Sequence, residues 1–172
     1  KGLRALVYSA ILANDQENGN EIDYNLFTVG AWLDELDAEK INEIVEVIQT
    51  FFETGKTKDF SVLGNIQLNS PEFSSFSDVP PYGLKGYSES IALEELRFSS
   101  ISDYDYEIKN AKINVFGTTG IITFELTQKG ILVDNKAFTG QHITINGRAT
   151  FVLIKKDKKL FFISSACSWN PR

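Results

Sequence analysis

The chain has 172 residues, of which 42% are hydrophobic, and it carries a formal net charge of −6. A chain of this length is most simply one domain that buries roughly 70% of the surface its unfolded form exposes, so no disulfide is needed for folding, and the single cysteine, Cys167, can form none within the chain. The acidic balance, with no basic patch interleaved with aromatic residues, excludes nucleic acid and anionic membrane as expected partners.

The first 37 residues are predicted to form a helical extension. The first apolar residues at helical spacing are Leu3, Leu6, Val7, Ala10 and Ile11. A polar connector follows, and then a second helical segment over residues 22–36. A signal-peptide remnant is the alternative interpretation of the basic, apolar start, but no small-x-small cleavage site follows it. We expect a cytoplasmic location, with export by a signal removed upstream of Lys1 as the alternative, and no membrane span, because no run of 18 apolar residues occurs.

The clearest helical pattern begins after Asp37. Its apolar residues form one stripe at helical spacing, and they are Ile41, Ile44, Val45, Ile48, Phe51 and Phe52. Gly55 is placed to end this helix. A short helix capped by Asp59 is predicted next, the prolines and glycines within residues 77–90 predict a loop, and a further helix is predicted over residues 88–98.

From Asp103 onward the pattern changes to the alternation of apolar and polar residues that is typical of strands. Four such segments are predicted, and the pairs Asp134-Asn135 and Asp157-Lys158 supply turn residues between them. Helices followed by an antiparallel meander predict an α+β domain.

Four segments resemble, in this order, the SnoaL-like branch of the nuclear-transport-factor-2-like superfamily. They are FETGKTKDFSVL, FSDVPPYGLKGYSES, DYEIKNAKINVFGTTGIITFEL and GRATFVLIKKDKKLFFISSACS. The resemblance covers about residues 38–169, and its most specific piece is the Gly-Arg-Ala-Thr-Phe-Val-Leu run at 147–153. It implies a domain over 38–172 in which a curved antiparallel sheet wraps a long N-terminal helix to form a cone, with residues 1–37 as an added segment. It also implies a pocket between the helices and the concave sheet, and a homodimer joined through the sheets.

The last strand departs from the pattern of this branch. Relatives often end it with His-x-His-x-Ser, and the matching positions here are Ser164, Ala166 and Ser168. Both histidines are therefore replaced, and hydroxyl groups are poor general bases without an adjacent activator. Ser164 and Ser168 are predicted to contact a ligand, and strict alternation would put them on the same face as Phe162.

Two other residues are candidate catalytic bases. His142 is the only histidine, with an ordinary pKa near 6.5, and it would act at the pocket mouth. The ordinary role of a strand histidine, exposed or hydrogen-bonded, is the preferred alternative. Asp78 could project into the pocket from the loop at residues 77–90, as pocket carboxylates do in isomerases of the superfamily, but capping or shaping the turn is its preferred role.

Three further residues are candidate ligand contacts. Arg148 of the Gly-Arg-Ala-Thr-Phe signature could anchor an anionic ligand, or it could hold a strand end or a dimer interface through a carboxylate. Tyr104 and Tyr106 could act as electrophilic donors. The acidic residues around them, Asp103, Asp105 and Glu107, favour a solvated strand edge over a metal site, because neighbours on one face of a strand stand about 7 Å apart.

Three functions follow from these observations. The first is a homodimer that binds a small, mostly apolar molecule in the cone. The second is a ketosteroid-isomerase-like or hydratase-like enzyme with His142 or Asp78 as base. The third is an association or structural domain in which aromatic side chains fill the cone. No cofactor is predicted, because the sequence has no P-loop, no Gly-rich dinucleotide turn and no Ser-His-Asp signature.

Overall fold

The computed structural model describes residues 26–77, 82–134, 136–137 and 139–171, with side chains from residue 38 to residue 168. The chain divides into two units, Lys1–Asn42 and Glu43–Arg172. The helix predicted from Leu3 to Ile11 and the connector after it lie outside the described residues, as does Asp78. The predicted boundary between an extension at 1–37 and a domain at 38–172 stays a prediction.

The described elements are mostly long. The helices are α1 (Leu26–Thr57), a short 3-10 helix (Phe60–Val62), α2 (Leu63–Ile66) and α3 (Tyr87–Ser99). The strands are β1 (Ser74–Ser77), β2 (Ile101–Phe116), β3 (Thr119–Asp134), β4 (Thr139–Lys156) and β5 (Lys159–Pro171). No helix among the described residues is long and apolar enough to cross a membrane.

Helix α1 is continuous where the sequence predicts a start and a stop. It runs through Asp37, and it ends at Thr57 rather than at Gly55. Gly55 has a different role, because a Cβ atom added there would lie 2.5 Å from the Tyr104 ring and 2.7 Å from the Phe98 ring. Glycine at this position therefore permits close packing within the helix, and it does not cap the helix.

The five strands form one sheet in the order β1-β5-β4-β3-β2. Strands β2 to β5 are the predicted antiparallel meander, whereas β1 pairs in parallel with β5. The register between β2 and β3 shifts twice, after Ser102 and after Lys109, and such bulges increase the bend and twist of a strand. The sheet is curved and unclosed, and Glu43–Thr57 of α1 packs on its concave face through residues such as Ile48 and Phe52, which are fully buried.

The predicted turns and caps agree with the structure where it describes them. Asp157 and Lys158, between β4 and β5, have φ angles of 51° and 65°, as a two-residue hairpin turn of type I′ requires. The side chain of Asp59 accepts a hydrogen bond from the Ser61 backbone N–H and so caps the 3-10 helix.

Candidate functional site

The space between α1 and the sheet contains a cluster of aromatic side chains centred on Phe51. Its ring centroid lies 5.0 Å from that of Phe52, 5.5 Å from those of Phe151 and Phe162, and 5.7 Å from that of Phe98. All five rings are buried. Edge-to-face contacts at these distances are typical of close-packed aromatic cores. This part of the interior is therefore filled by the protein's own side chains.

Tyr104 and Tyr106 both lie beside this aromatic cluster, on β2. The Tyr104 hydroxyl donates a hydrogen bond of 2.7 Å to Oε1 of Gln128, and both residues are buried. The Tyr106 hydroxyl donates to Oε1 of Glu53 at 3.1 Å, which ties β2 to α1. Both predicted ligand contacts therefore face the helix side of the sheet, where their hydroxyls have protein partners.

The tyrosines predict an alkaline loss of stability. Burial raises the pKa of Tyr104 well above its ordinary value, and burial together with Glu53 raises the pKa of Tyr106 to about 12. Below about pH 10 the folded and unfolded chains both keep these protons; above it only the folded chain does, so the free energy of unfolding falls as the pH rises from about 10 to about 12.

Urea unfolding at about pH 9 and about pH 11 tests this prediction. Tyr104→Phe and Tyr106→Phe should each reduce the difference between the two pH values. Tyr82→Phe is the control, because the Tyr82 side chain is 70% exposed, and it should leave the difference unchanged. An unchanged difference in both interior variants contradicts the assignment.

Glu94 and Arg97 add two opposite charges to the interior. They lie one turn apart on α3, and Nη2 of Arg97 is 2.5 Å from Oε2 of Glu94. The guanidinium carbon lies 4.6 Å from the centroid of the Phe98 ring and 6.0 Å from that of Phe51. Burial raises the pKa of Glu94, although the charge of Arg97 opposes this shift. A buried carboxyl with a raised pKa beside aromatic rings is a candidate functional group.

The sequence analysis gave neither residue a role, although the pattern contains a signal. The side chains of α3 that are wholly or partly buried recur every three or four residues, at Tyr87, Ile91, Glu94 and Phe98. Glu94 is the charged member of this stripe. A carboxyl group at an apolar position of an otherwise ordinary amphipathic helix is the feature that could have identified the site.

The opposite face of the sheet has an apolar half near the β2–β3 and β4–β5 hairpins. Paired positions form three rows across the strands. The first row is Phe116, Thr119, Ile154 and Phe161; the second is Ile121 and Val152; the third is Thr123, Thr150, Ala166 and Phe76. We call these ten residues the outer apolar patch. All are partly or fully exposed, and the Phe116 side chain is 64% exposed.

The other half of this outer face is polar, and it contains two of the predicted site residues. His142 and Arg148 are exposed on β4, where they pair with Ile131 and Glu125 of β3. Alternation along β4 places both on the face opposite the buried Phe151. The structure therefore does not bring His142 or Arg148 together with Tyr104 and Tyr106, and the catalytic role of His142 stays a prediction.

Ser164 and Ser168 also lie on the outer face, because a bulge interrupts the alternation of β5. The register between β4 and β5 shifts after the pair Val152–Ser164, so that Phe162 is buried while Ser164 points outward. The Ser164 hydroxyl accepts a hydrogen bond of 3.2 Å from Ser74 of β1. Ser164 and Ser168 therefore do not share a face with Phe162, contrary to the strict alternation expected from the sequence.

The acidic residues at the start of β2 form ion pairs instead of converging on one point. Lys56 lies 3.0 Å from Asp105, and Lys109 lies 3.0 Å from Glu107. Within the described part of the chain, no group of three or more His, Cys, Asp or Glu side chains is arranged to hold a metal ion. An open groove of about 530 Å³ runs along α1, and it is lined mostly by polar side chains that include Glu46, Thr50 and Asp59.

Comparison with known proteins identifies the architecture. No protein-family model and no curated protein matches the chain. Solved structures do match. One is a nuclear transport factor 2 (NTF2-like) superfamily protein from Salmonella enterica serovar Typhimurium, 19% identical, with a TM-score of 0.62 over 76% of this chain and 91% of that one. The chain has the NTF2-like fold.

Two further structures show how widely this NTF2-like fold is used. An uncharacterised protein with a cystatin-like fold from Caulobacter vibrioides is 16% identical, with a TM-score of 0.61 over 77% of this chain and 90% of that one. The association domain of CaMKII from C. elegans is 18% identical, with a TM-score of 0.61 over 78% of this chain and 98% of that one. Identities this low establish the fold and leave the activity open.

Proposed function

We propose that this NTF2-like domain, of the SnoaL-like branch, is a homodimeric association domain that pairs through the outer apolar patch. The observation that carries the proposal is the pairing of a filled interior with an apolar outer face. Around Phe51 the interior offers aromatic packing, whereas the sheet presents Phe116, Ile154 and Phe161 to solvent. One of the structures with the same fold is an association domain.

The occupant of the outer apolar patch is a second copy of this chain. By ordinary strand and residue spacings, three rows over five strands span about 20 Å by 20 Å. This is the size of the apolar centre of a standard interface, which a polar rim completes. The polar half of the same face, with Thr144 and Arg148, supplies that rim. A two-fold axis lets one such face pair with itself, as most homodimers do.

The oligomeric state tests this proposal. The wild-type protein should have twice the 19.3 kDa mass of one chain in sedimentation or light-scattering measurements. Val152→Lys places a charge in the middle row of the patch and should weaken dimerisation by at least about 100-fold, because an unpaired lysine at the centre of an interface has no compensating partner.

The matched control is Thr144→Lys, on the same strand and the same face but in the polar half. It adds the same charge and should leave the dimer intact. Circular dichroism checks that both variants fold. A monomeric wild type, or a Val152→Lys variant that remains dimeric, would refute the proposed interface.

The other functions inferred from the sequence stay predictions. An isomerase or hydratase that uses His142 as base needs a substrate on the outer polar half, because His142 is exposed there. Asp78 lies outside the described residues. A mostly apolar ligand needs space next to the Phe51 cluster, which is close-packed where the structure describes it. The cytoplasmic location also stays a prediction.

A further inference from the structure

The ion pair of Glu94 and Arg97 is only partly closed to solvent. Their side chains are 20% and 26% exposed, although Oε2 of Glu94 is itself buried. Aromatic rings lie on the inner side of the pair, since the Arg97 guanidinium is stacked near Phe98 and within 6.0 Å of the Phe51 ring centroid. A small molecule could therefore reach the charged groups from solvent and contact aromatic carbon beyond them.

Groups from other elements face this pair. Arg97, Glu94 and the Cys167 thiol of β5 all act electrostatically on Tyr104 of β2. Gln128 of β3 accepts the Tyr104 hydrogen bond. Lys58, whose Nζ donates to the backbone oxygens of Phe98 and Ile101, is the nearby cation from the end of α1. Between pH 5 and pH 8 Tyr104 keeps its proton, because burial raises its pKa. Glu94 is therefore the group in this set whose charge can change in that range.

A partly buried ion pair is a weak source of stability, because desolvation opposes the attraction between the charges. A guanidinium is, however, well suited to bind a carboxylate through two parallel hydrogen bonds. Glu94 already supplies a carboxylate to Arg97. A second carboxylate beside Arg97 would put two negative charges around one positive charge in a site of low dielectric, and like charges in such a site favour protonation of one of them.

We propose that this site binds a small monocarboxylic acid with an apolar body. The ligand carboxylate pairs with Arg97, its apolar part contacts the aromatic side chains, and Glu94 takes up one proton as the ligand binds. This proposal is independent of the dimer interface, because Glu94 and Arg97 are on α3 and the outer apolar patch is on the sheet.

Benzoate is the probe, with benzyl alcohol as its uncharged counterpart. Titration calorimetry at about pH 5.5 and about pH 7.5, in buffers of different ionisation enthalpy, measures both affinity and proton uptake. Benzoate should bind more tightly at the lower pH, by up to about tenfold per pH unit above the pKa of Glu94, with uptake of one proton. Benzyl alcohol should bind more weakly and without pH dependence.

Two variants assign the roles. Glu94→Gln imitates the protonated carboxyl, and it should bind benzoate with the same affinity at both pH values and without proton uptake. Arg97→Gln should weaken benzoate binding at least about tenfold at both pH values, because it removes the charge that the carboxylate needs. Thermal unfolding of each variant verifies the fold.

Three results would overturn the proposal. The first is that neither the wild type nor the Glu94→Gln variant binds benzoate at millimolar concentration. The second is that the Glu94→Gln variant keeps the pH dependence, which would place the proton on another group. The third is that a folded Arg97→Gln variant binds benzoate as tightly as the wild type.

Discussion

Replacement of Phe51 by alanine is expected to remove about 3–5 kcal/mol of the free energy of unfolding. The Phe51 ring is buried and contacts four other aromatic rings, those of Phe52, Phe98, Phe151 and Phe162. These rings come from two helices and two strands of the sheet. They cannot all move into the space that the ring leaves, so the variant loses both the burial of the ring and the packing of its neighbours.

Urea unfolding at one fixed protein concentration measures this loss, and the slope with denaturant should stay constant. The control is Leu96→Ala on α3, because the Leu96 side chain is 62% exposed. Its effect should stay within about 0.5 kcal/mol. An apolar cavity of this kind remains dry and takes up benzene. Benzene should therefore raise the unfolding midpoint of Phe51→Ala and leave that of the wild type unchanged.

A small effect of Phe51→Ala would contradict the filled interior. A loss below about 1 kcal/mol would mean that the rings around Phe51 are loosely packed and can collapse into the vacated space. A benzene effect on the wild type would mean that a cavity already exists beside the aromatic cluster. Either result would favour the mostly apolar ligand predicted from the sequence over the association domain.

The fold could be predicted because its signals are periodic. The stripe from Ile44 to Phe52 faces the sheet, as helical spacing requires, and the alternation in the second half of the chain corresponds to β2–β5. The predicted start at Asp37 failed because an N-cap residue is also tolerated inside a helix. Strand β1, with four residues, is too short for an alternating pattern, and its parallel pairing with β5 depends on contacts between residues about 90 positions apart.

The candidate site was less predictable, because strict alternation does not reveal bulges. One extra residue before Ser164 reverses the face of every later position of β5, and so it places Ser164 and Ser168 on the outer face. His142 and Arg148 attract attention by residue type, yet the curvature of the sheet decides which face is concave, and the curvature is not visible in the local pattern. Glu94 was accessible to prediction, because its position follows from the same spacing that identified α3.

The outer face also separates two properties that sequence composition mixes. Apolar residues are grouped near the hairpins, at Phe116, Ile154 and Phe161, whereas charged residues such as Arg148 and Glu125 occupy the other half. This arrangement depends on the register of four strands. A sequence with the same composition and a register shifted by one residue would bury the patch and expose Phe151. The association surface is thus a consequence of pairing geometry.

Gly55→Ala is expected to destabilise the protein by about 1–3 kcal/mol, although alanine is the better helix former by about 1 kcal/mol. The added Cβ atom would lie 2.5 Å from two carbons of the Tyr104 ring and 2.7 Å from a carbon of the Phe98 ring. Neither ring can move freely. Phe98 is fully buried, and Tyr104 is held by its hydrogen bond to Gln128. The steric cost therefore exceeds the gain in helix propensity.

Gly64→Ala on α2 is the matched control, because its added Cβ atom would have only one close neighbour, the Tyr87 hydroxyl at 3.4 Å. This variant should be neutral or up to about 1 kcal/mol more stable. Opposite signs for the two substitutions in urea unfolding would support the role of Gly55 as a packing position. Stabilisation by Gly55→Ala would instead mean that α1 can move away from β2, and the close contact between helix and sheet on which the filled interior depends would then be absent in solution.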